Sequence, residues 1–238
     1  MALHIGIVAC SAEGAALCYR TICAESPVVM GAHAHPEITM HTHPLSEYMQ
    51  FIYLDHWQAV ADLMLSSAQI VAQAGASFAI CPDNTIHQAL ALIADRSPIP
   101  WLHIAQEVVK VASTKGYKKL GVTGTRYLME GPVYREALAS AGIEHEVPNE
   151  EDRIKINKII MDELVYGKFT EPSRQYFGGV VDKLKRTGCD AVVLACTEIP
   201  LLVTQKDSTL PVLDSTRILA RAAIARATED VPTSQARM

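Results

Sequence analysis

The stretch that decides the fold is Ala191-Val-Val-Leu-Ala-Cys-Thr-Glu198. Five apolar residues run without alternation and stop abruptly at a polar triplet. An unbroken short apolar run belongs to a strand buried on both faces, which is the habit of parallel sheets covered by helices. The same grammar recurs upstream. Leu3–Ala9 (LHIGIVA) ends at Cys10-Ser11, Ser77–Cys81 (SFAIC) ends at Pro82-Asp83-Asn84-Thr85, and Lys119–Thr123 (KLGVT) ends at Gly124-Thr125. Proline cannot continue a central ladder, so the chain must leave the sheet at Pro82.

Longer patterns with helical period lie between these runs. Helices are expected over Ala15–Ala24, Asp55–Ala74, a segment capped by Asn84 or Thr85 and running to about Ala94, Ile104–Ser113, Arg126–Ala141, Arg153–Tyr166, Pro172–Arg186 and Ser215–Thr228. Further strands are expected at Ile38–Thr42, Ile143–Val147 and Val212-Leu213. Strand and helix in alternation mean βαβ units and an α/β fold. The two halves also match one another: IGIVACS parallels LGVTGT, and FAICPDNT parallels AVVLACTE. Two similar lobes are therefore expected, each a parallel sheet flanked by helices, with the active-site cleft between them. Prolines 98 and 100 interrupt the pattern at DRSPIP, giving a first lobe at 1–98, a second at 99–211 and a C-terminal helical segment, 212–228, that returns to the first. The polar segment 229–238 reads as a frayed tail.

Composition narrows the function. Of 238 residues, 49% are hydrophobic and 20% charged, so the chain has the makings of an ordinary globular core and not of a disordered or collagenous one. Net charge is −5 with no long Lys/Arg block, which argues against nucleic acid as a partner. No apolar run reaches the roughly 18 residues that span a membrane, and the start MALHIGIVAC has no secretory pattern. None of the six cysteines is spaced CxxC, so reduced thiols in the cytoplasm are expected instead of disulfides or a zinc knuckle. His33, His35, His41 and His43 form two His-x-His pairs, but nothing nearby completes a tetrahedral set, and no metal is expected. Gly124 lies in a turn without the Lys of a phosphate loop, so nucleotide is not expected either.

Ligands of open parallel sheets bind outside the carboxyl ends of the strands. Four such ends here carry small polar residues, and several open helices whose first N–H groups could hold a carboxylate. One such end is an ordinary helix cap; four in two matching pairs point to a small anionic substrate. At these residues the chain resembles the aspartate/glutamate racemase superfamily, which includes hydantoin racemases, maleate isomerases and arylmalonate decarboxylases. The resemblance runs from IGIVACSAEGAALCYR through NTIH and GVTGTRYLMEGPVYREALASAGIE to CDAVVLACTEIPLL and PVLDST.

That resemblance implies two α/β lobes, a homodimer, no cofactor, and a pair of acid–base groups reaching the substrate Cα from opposite faces. Carried onto this chain, Cys196 matches the second catalytic cysteine. Thr197, Asn84, Thr85, Thr123, Thr125 and Ser11 match substrate-binding positions. The first lobe departs from the family pattern, which reads Cys-Asn-Thr-x-His. Here Asp83-Asn84-Thr85-Ile86-His87 puts aspartate at the cysteine position, with Cys81 two residues earlier across a proline. Either Asp83 replaces the first thiol or the loop brings Cys81 into the site; the ungapped Asn-Thr-x-His register favours Asp83. Carboxyl and thiol differ in pKa by more than four units, so Asp83 would need burial or a neighbouring anion to serve. His87 and Glu198 are candidates for orienting these groups or meeting the substrate ammonium; a buried hydrogen-bonding histidine and a helix-start glutamate are the plainer readings. The implied activity is a racemase of aspartate or glutamate. A decarboxylase, a cis-trans isomerase of small dicarboxylates and a non-catalytic dicarboxylate-binding relative are the alternatives.

Overall fold

The computed structural model describes residues 1–229; the stretch 230–238 of the expected tail lies outside the described residues. Among the described residues, eight strands make two four-stranded sheets, and every pairing within them is parallel. The first sheet contains β1 (Ile5–Ala9), β2 (Ile38–Thr42), β3 (Phe78–Ile80) and β4 (Trp101–Leu102) in the order β2-β1-β3-β4. The second contains β5 (Lys119–Thr123), β6 (Glu144–Glu146), β7 (Ala191–Leu194) and β8 (Val212–Asp214) in the order β6-β5-β7-β8. The orders are equivalent: in each, the chain steps outward from a central strand, then crosses to its other side.

The unbroken apolar runs are explained by burial on both faces. Along β7, Ala191 and Val193 enter one core with Leu120 and Val122, while Val192 and Leu194 enter another with Phe177 and Leu184. In β1, Ile5, Ile7 and Ala9 face a core shared with Phe78 and Ile80, and Val8 faces the helix Trp57–Gln73 through Ala68 and Val71. The two central strands share a further device. A Cβ on Gly6 would stand 2.7 Å from Val71 Cγ2, and one on Gly121 would stand 2.8 Å from Leu184 Cδ1. Each glycine thus lets a crossover helix lie directly on its central strand.

The chain divides into a unit of residues 1–104 plus those from Leu219 onward, and a unit Ala105–Ile218. This differs from the division at 98/99 and 211/212 expected from the prolines. Trp101 and Leu102 pair with Ala79 and Ile80, so the chain past DRSPIP still belongs to the first sheet. Val212–Asp214 pairs with β7 and stays in the second. The helix Ser215–Thr228 begins in the second unit, where Ile218 is a core residue, and ends in the first, where Leu219, Ala223 and Ala227 are.

Some helices also differ from expectation. The stretch expected as one helix, 126–141, breaks into Arg126–Glu130 and Pro132–Ser140, because Pro132 cannot donate to the ladder and forces Gly131 into an extended conformation. A helix Leu45–Tyr53 follows β2 where no motif had been legible, burying Tyr48 and Ile52 four residues apart on one face.

Candidate active site

In a doubly wound sheet, the crevice opens where successive connections leave a central strand in opposite directions. That switch point lies between β1 and β3 in the first unit and between β5 and β7 in the second. The residues singled out from the sequence stand at these two places. Ser11, Cys81, Asp83, Asn84, Thr85 and His87 follow β1 or β3; Thr123, Thr125, Cys196, Thr197 and Glu198 close or follow β5 or β7.

In the first unit the chain leaves β3 through Cys81 and Pro82 into a 3-10 helix, Thr85–Ile93. Asn84 occupies the cap position but makes no side-chain cap bond. Asp83 does that instead, its Oδ1 accepting from Ile86 N at 3.1 Å. Capping by Asn84 or Thr85 is therefore corrected to capping by Asp83, whose carboxylate sits one residue further back and accepts from the N–H of Ile86. His87 lies one turn on. Its Nε2 donates to the carbonyl of Cys81 at 3.0 Å, bracing the turn against the strand it left. Its Nδ1 is buried without a partner, and its ring stands 4.5 Å from that of His103. Burial, then the neighbouring His103, push its pKa down to about 3, so His87 is a neutral brace at working pH. Cys81 is sealed from solvent, and burial followed by the Asp83 charge pushes its thiol well above the usual range.

In the second unit β5 and the chain leaving β7 stay paired past the carboxyl end of β7. Ala195 N donates to Thr123 O at 2.8 Å, continuing the ladder past β7, and Thr123 Oγ1 donates to Val193 O at 3.0 Å. Gly124 makes this possible, since a Cβ there would stand 2.9 Å from Ala195 O and 2.6 Å from Leu128 Cδ2. Thr125 Oγ1 accepts from Leu128 N at 3.2 Å and caps the helix Arg126–Glu130. The hydroxyls of Thr123 and Thr125 thus have structural work in this state.

Cys196 follows Ala195 directly. Its thiol donates to Glu198 Oε2 at 2.9 Å, and Thr197 Oγ1 donates to the same oxygen at 3.3 Å. All three side chains are buried, and Glu198 Oε1 has no partner. A buried carboxylate with one oxygen unsatisfied is costly, and such sites call for a function. Here the carboxylate fixes the thiol rotamer and leaves an acceptor for a donor such as an ammonium group.

Among the described residues, no group of three or more His, Cys, Asp or Glu could hold a metal ion. The paired histidines on and beside β2 are held by hydroxyls instead: His41 Nδ1 to Ser67 Oγ at 2.9 Å and His43 Nε2 to Ser66 Oγ at 2.7 Å. Among the described residues, no helix is long and apolar enough to cross a membrane.

The family model for Asp/Glu/hydantoin racemases matches residues 7–223. The chain belongs to this family. A Yersinia pestis protein assigned as an Asp/Glu racemase superimposes with a TM-score of 0.86 at 33% identity, covering 94% of this chain and 99% of that one. An aspartate racemase homologue from Pyrococcus horikoshii OT3 follows at 0.82 and 25%, covering 96% and 100%. The broad-specificity amino-acid racemase RacX of Bacillus subtilis strain 168 is 22% identical over 171 residues, 72% of this chain and 73% of that one. The two-sheet α/β architecture is the racemase fold, and an enzyme of the racemase type is what the family membership supports.

Sequence reasoning did not reach Tyr48 or His103. Tyr48 is fully buried on the helix that follows β2, and its hydroxyl completes no hydrogen bond. The one signal available was the apolar i, i+4 pair Tyr48 and Ile52, which marks a helix but not a site.

Proposed function

We propose that the protein is a cofactor-independent amino-acid racemase acting on aspartate or glutamate, with Cys196 and Asp83 as its two acid–base groups. The observation that carries this reading is the buried Cys196 thiol held by Glu198 at the switch point of the second sheet.

For one enantiomer, the Cys196 thiolate takes the α-proton and becomes a thiol, while the Asp83 carboxyl gives its proton to the other face of Cα and becomes a carboxylate. For the mirror substrate the Asp83 carboxylate takes the proton and the Cys196 thiol returns one. Either turnover moves one proton in and one out, and solvent exchange resets the pair. Asp83 is preferred to Cys81 because the Cys81 thiol is sealed away and resists ionisation, whereas Asp83 is partly exposed at the turn. A substrate carboxylate near Asp83 favours the protonated acid by like-charge repulsion. Charge developing on the carbanion passes into the α-carboxylate as an enediolate, which Asn84, Thr85, Thr197 and backbone N–H groups stabilise. Six free cysteines suit a reducing cytoplasm, and the family resemblance implies a homodimer.

The replacement of the first thiol by Asp83 favours one other reading. Decarboxylation followed by protonation on one face needs only a single acid, which Cys196 supplies.

The deciding experiment is proton NMR of L- and D-aspartate and L- and D-glutamate in heavy water, with chiral chromatography of the products. Loss of the α-proton signal with formation of the other enantiomer, abolished in Cys196→Ala and in Asp83→Asn, is expected. Activity that survives Asp83→Asn removes Asp83 from the mechanism. Loss of carbon dioxide from a malonate, with no enantiomer exchange on the four amino acids, replaces the racemase reading with the decarboxylase one.

A further inference from the structure

The peptide unit joining Leu194 to Ala195, one short of Cys196, is held at both ends. Its amide, Ala195 N, donates to Thr123 O at 2.8 Å, and its carbonyl, Leu194 O, accepts from Ser215 Oγ at 2.8 Å. β8 stops at Asp214, level with Leu194, and Ser215 opens the next helix. The hydroxyl thus keeps hold of β7 where β8 itself has ended. One residue earlier, Val193 O accepts from Thr123 Oγ1 at 3.0 Å. The end of β7 is gripped from β5 on one side and from the start of the helix Ser215–Thr228 on the other.

A second hydroxyl backs Ser215. Tyr134, on the helix Pro132–Ser140, is 2% exposed, and its phenol is hydrogen-bonded to the Ser215 side chain. Valence fixes the direction of this chain. A carbonyl can only accept, so Ser215 commits its one O–H to Leu194 O, and the phenol must donate to Ser215 Oγ. Burial raises the phenol's pKa well above the ordinary tyrosine range, so Tyr134 keeps the proton that the chain needs. Ser215 is fully buried, and hydroxyls in series in such an interior polarise one another and act as a unit. The chain ends on the backbone two residues before Cys196, whose thiol donates to Glu198 Oε2 at 2.9 Å. That bond is directional, so thiol and carboxylate meet only while the peptide plane ahead of them keeps its orientation.

We infer that Tyr134 and Ser215 are positioning residues for Cys196, acting through the Leu194 carbonyl to fix the peptide that aims the thiol at Glu198. The inference rests on the racemase reading for the reaction it serves, but the hold on the thiol exists without turnover. Releasing the carbonyl lets the Leu194–Ala195 peptide tilt and carries the thiol off Glu198. A neighbouring negative charge opposes ionisation, so a thiol moved away from that carboxylate ionises more readily. Its proton transfer to and from a substrate meanwhile loses its geometry.

The test is alkylation of Cys196 by iodoacetamide as a function of pH, followed peptide by peptide by mass spectrometry. Wild type, Ser215→Ala, Tyr134→Phe and Lys183→Met are compared, with the melting temperature of each from calorimetry. In Ser215→Ala the alkylation midpoint is expected to move to lower pH, and the rate at neutral pH to rise by about threefold or more. Tyr134→Phe keeps the ring and removes only the donor, so it should shift the midpoint the same way by less. In both, kcat for α-proton exchange from L-aspartate should fall, by about tenfold in Ser215→Ala, with KM little changed. Lys183→Met loses stability without touching this chain, and its midpoint should stay at the wild-type value. An unchanged midpoint in Ser215→Ala, or in Tyr134→Phe if the alanine variant does not fold, overturns the inference. So does an equal shift in Lys183→Met, or a wild-type kcat despite a shifted midpoint. Wild-type protein that exchanges no α-proton, with the midpoint shift intact in the variants, sinks the racemase reading and leaves the hold on the thiol standing.

Discussion

Gly124 offers a sharp test of how the second half-site is built. In Gly124→Ala the new Cβ would lie 2.9 Å from Ala195 O and 2.6 Å from Leu128 Cδ2. The leucine end can swing away. The carbonyl cannot, because Ala195 N is tied to Thr123 O at 2.8 Å and the strand behind it is buried. Carbon atoms reach their optimal separation only near 3.5 Å, so the ends of β5 and β7 must part by about 0.5 Å. Overpacking of this kind costs about 1–3 kcal/mol. At about 2–4 °C per kcal/mol for a chain of this size, the melting temperature should fall by about 2–12 °C. Gly179→Ala is the control. That glycine lies in the helix Glu171–Arg186 with nothing within 4 Å of a built Cβ, and alanine there should stabilise by about 0.5–1 kcal/mol. Differential scanning calorimetry of both variants reads the contrast. Since Cys196 follows Ala195 directly, α-proton exchange by Gly124→Ala should also fall by about tenfold, the order expected for a displacement of this scale. A Gly124→Ala protein that melts with the wild type would refute the close-approach argument, whatever its activity.

Two further predictions come from groups in the core. His87 is held neutral in the folded protein with its pKa near 3, against about 6.5 when unfolded. The unfolded chain therefore binds the proton first as pH falls, and stability declines between about pH 6.5 and about pH 3 by up to about 1.4 kcal/mol per pH unit from this group. In His87→Asn, urea denaturation should show lower stability at pH 7 but a shallower slope between pH 6 and 4; an unchanged slope would contradict the assignment. Asp152, 3% exposed, receives Lys183 Nζ at 2.7 and 2.9 Å and the Tyr176 hydroxyl at 2.7 Å. Lys183→Met should cost about 1–3 kcal/mol, discounted from the full buried-pair value because the lysine is half exposed, and adding Asp152→Asn should recover part of it. Equal stability of wild type and Lys183→Met would show the pair to be dispensable.

The reach of the sequence is visible in particular residues. Ala191–Leu194 and Lys119–Thr123 could be placed because residues buried on both faces leave no polar alternation, and that pattern survives in one dimension. The polar residues at their ends were legible for the same reason: a buried strand must stop where polar groups begin. Trp101–Leu102 could not be read as a strand, because two residues just after a proline carry no period and pair only once β3 is beside them. The first and second units accordingly divide later than the prolines suggest.

What the sequence determined by itself was the order of elements, the internal repeat and the register of Asp83-Asn84-Thr85-Ile86-His87, all of them consequences of local pattern. The partners of the site side chains were decided only by tertiary structure. Glu198 meets the Cys196 thiol because the turn after β7 folds back on itself, Asp83 spends one oxygen on Ile86 N, and His87 turns to the Cys81 carbonyl. Tyr48 reaches the same edge from a helix 33 residues upstream of Cys81 in the chain, brought there by the pairing of β2 with β1. Hydrogen bonds of this sort depend on directions and distances of a few ångströms, which no spacing along a chain encodes until the strands have paired.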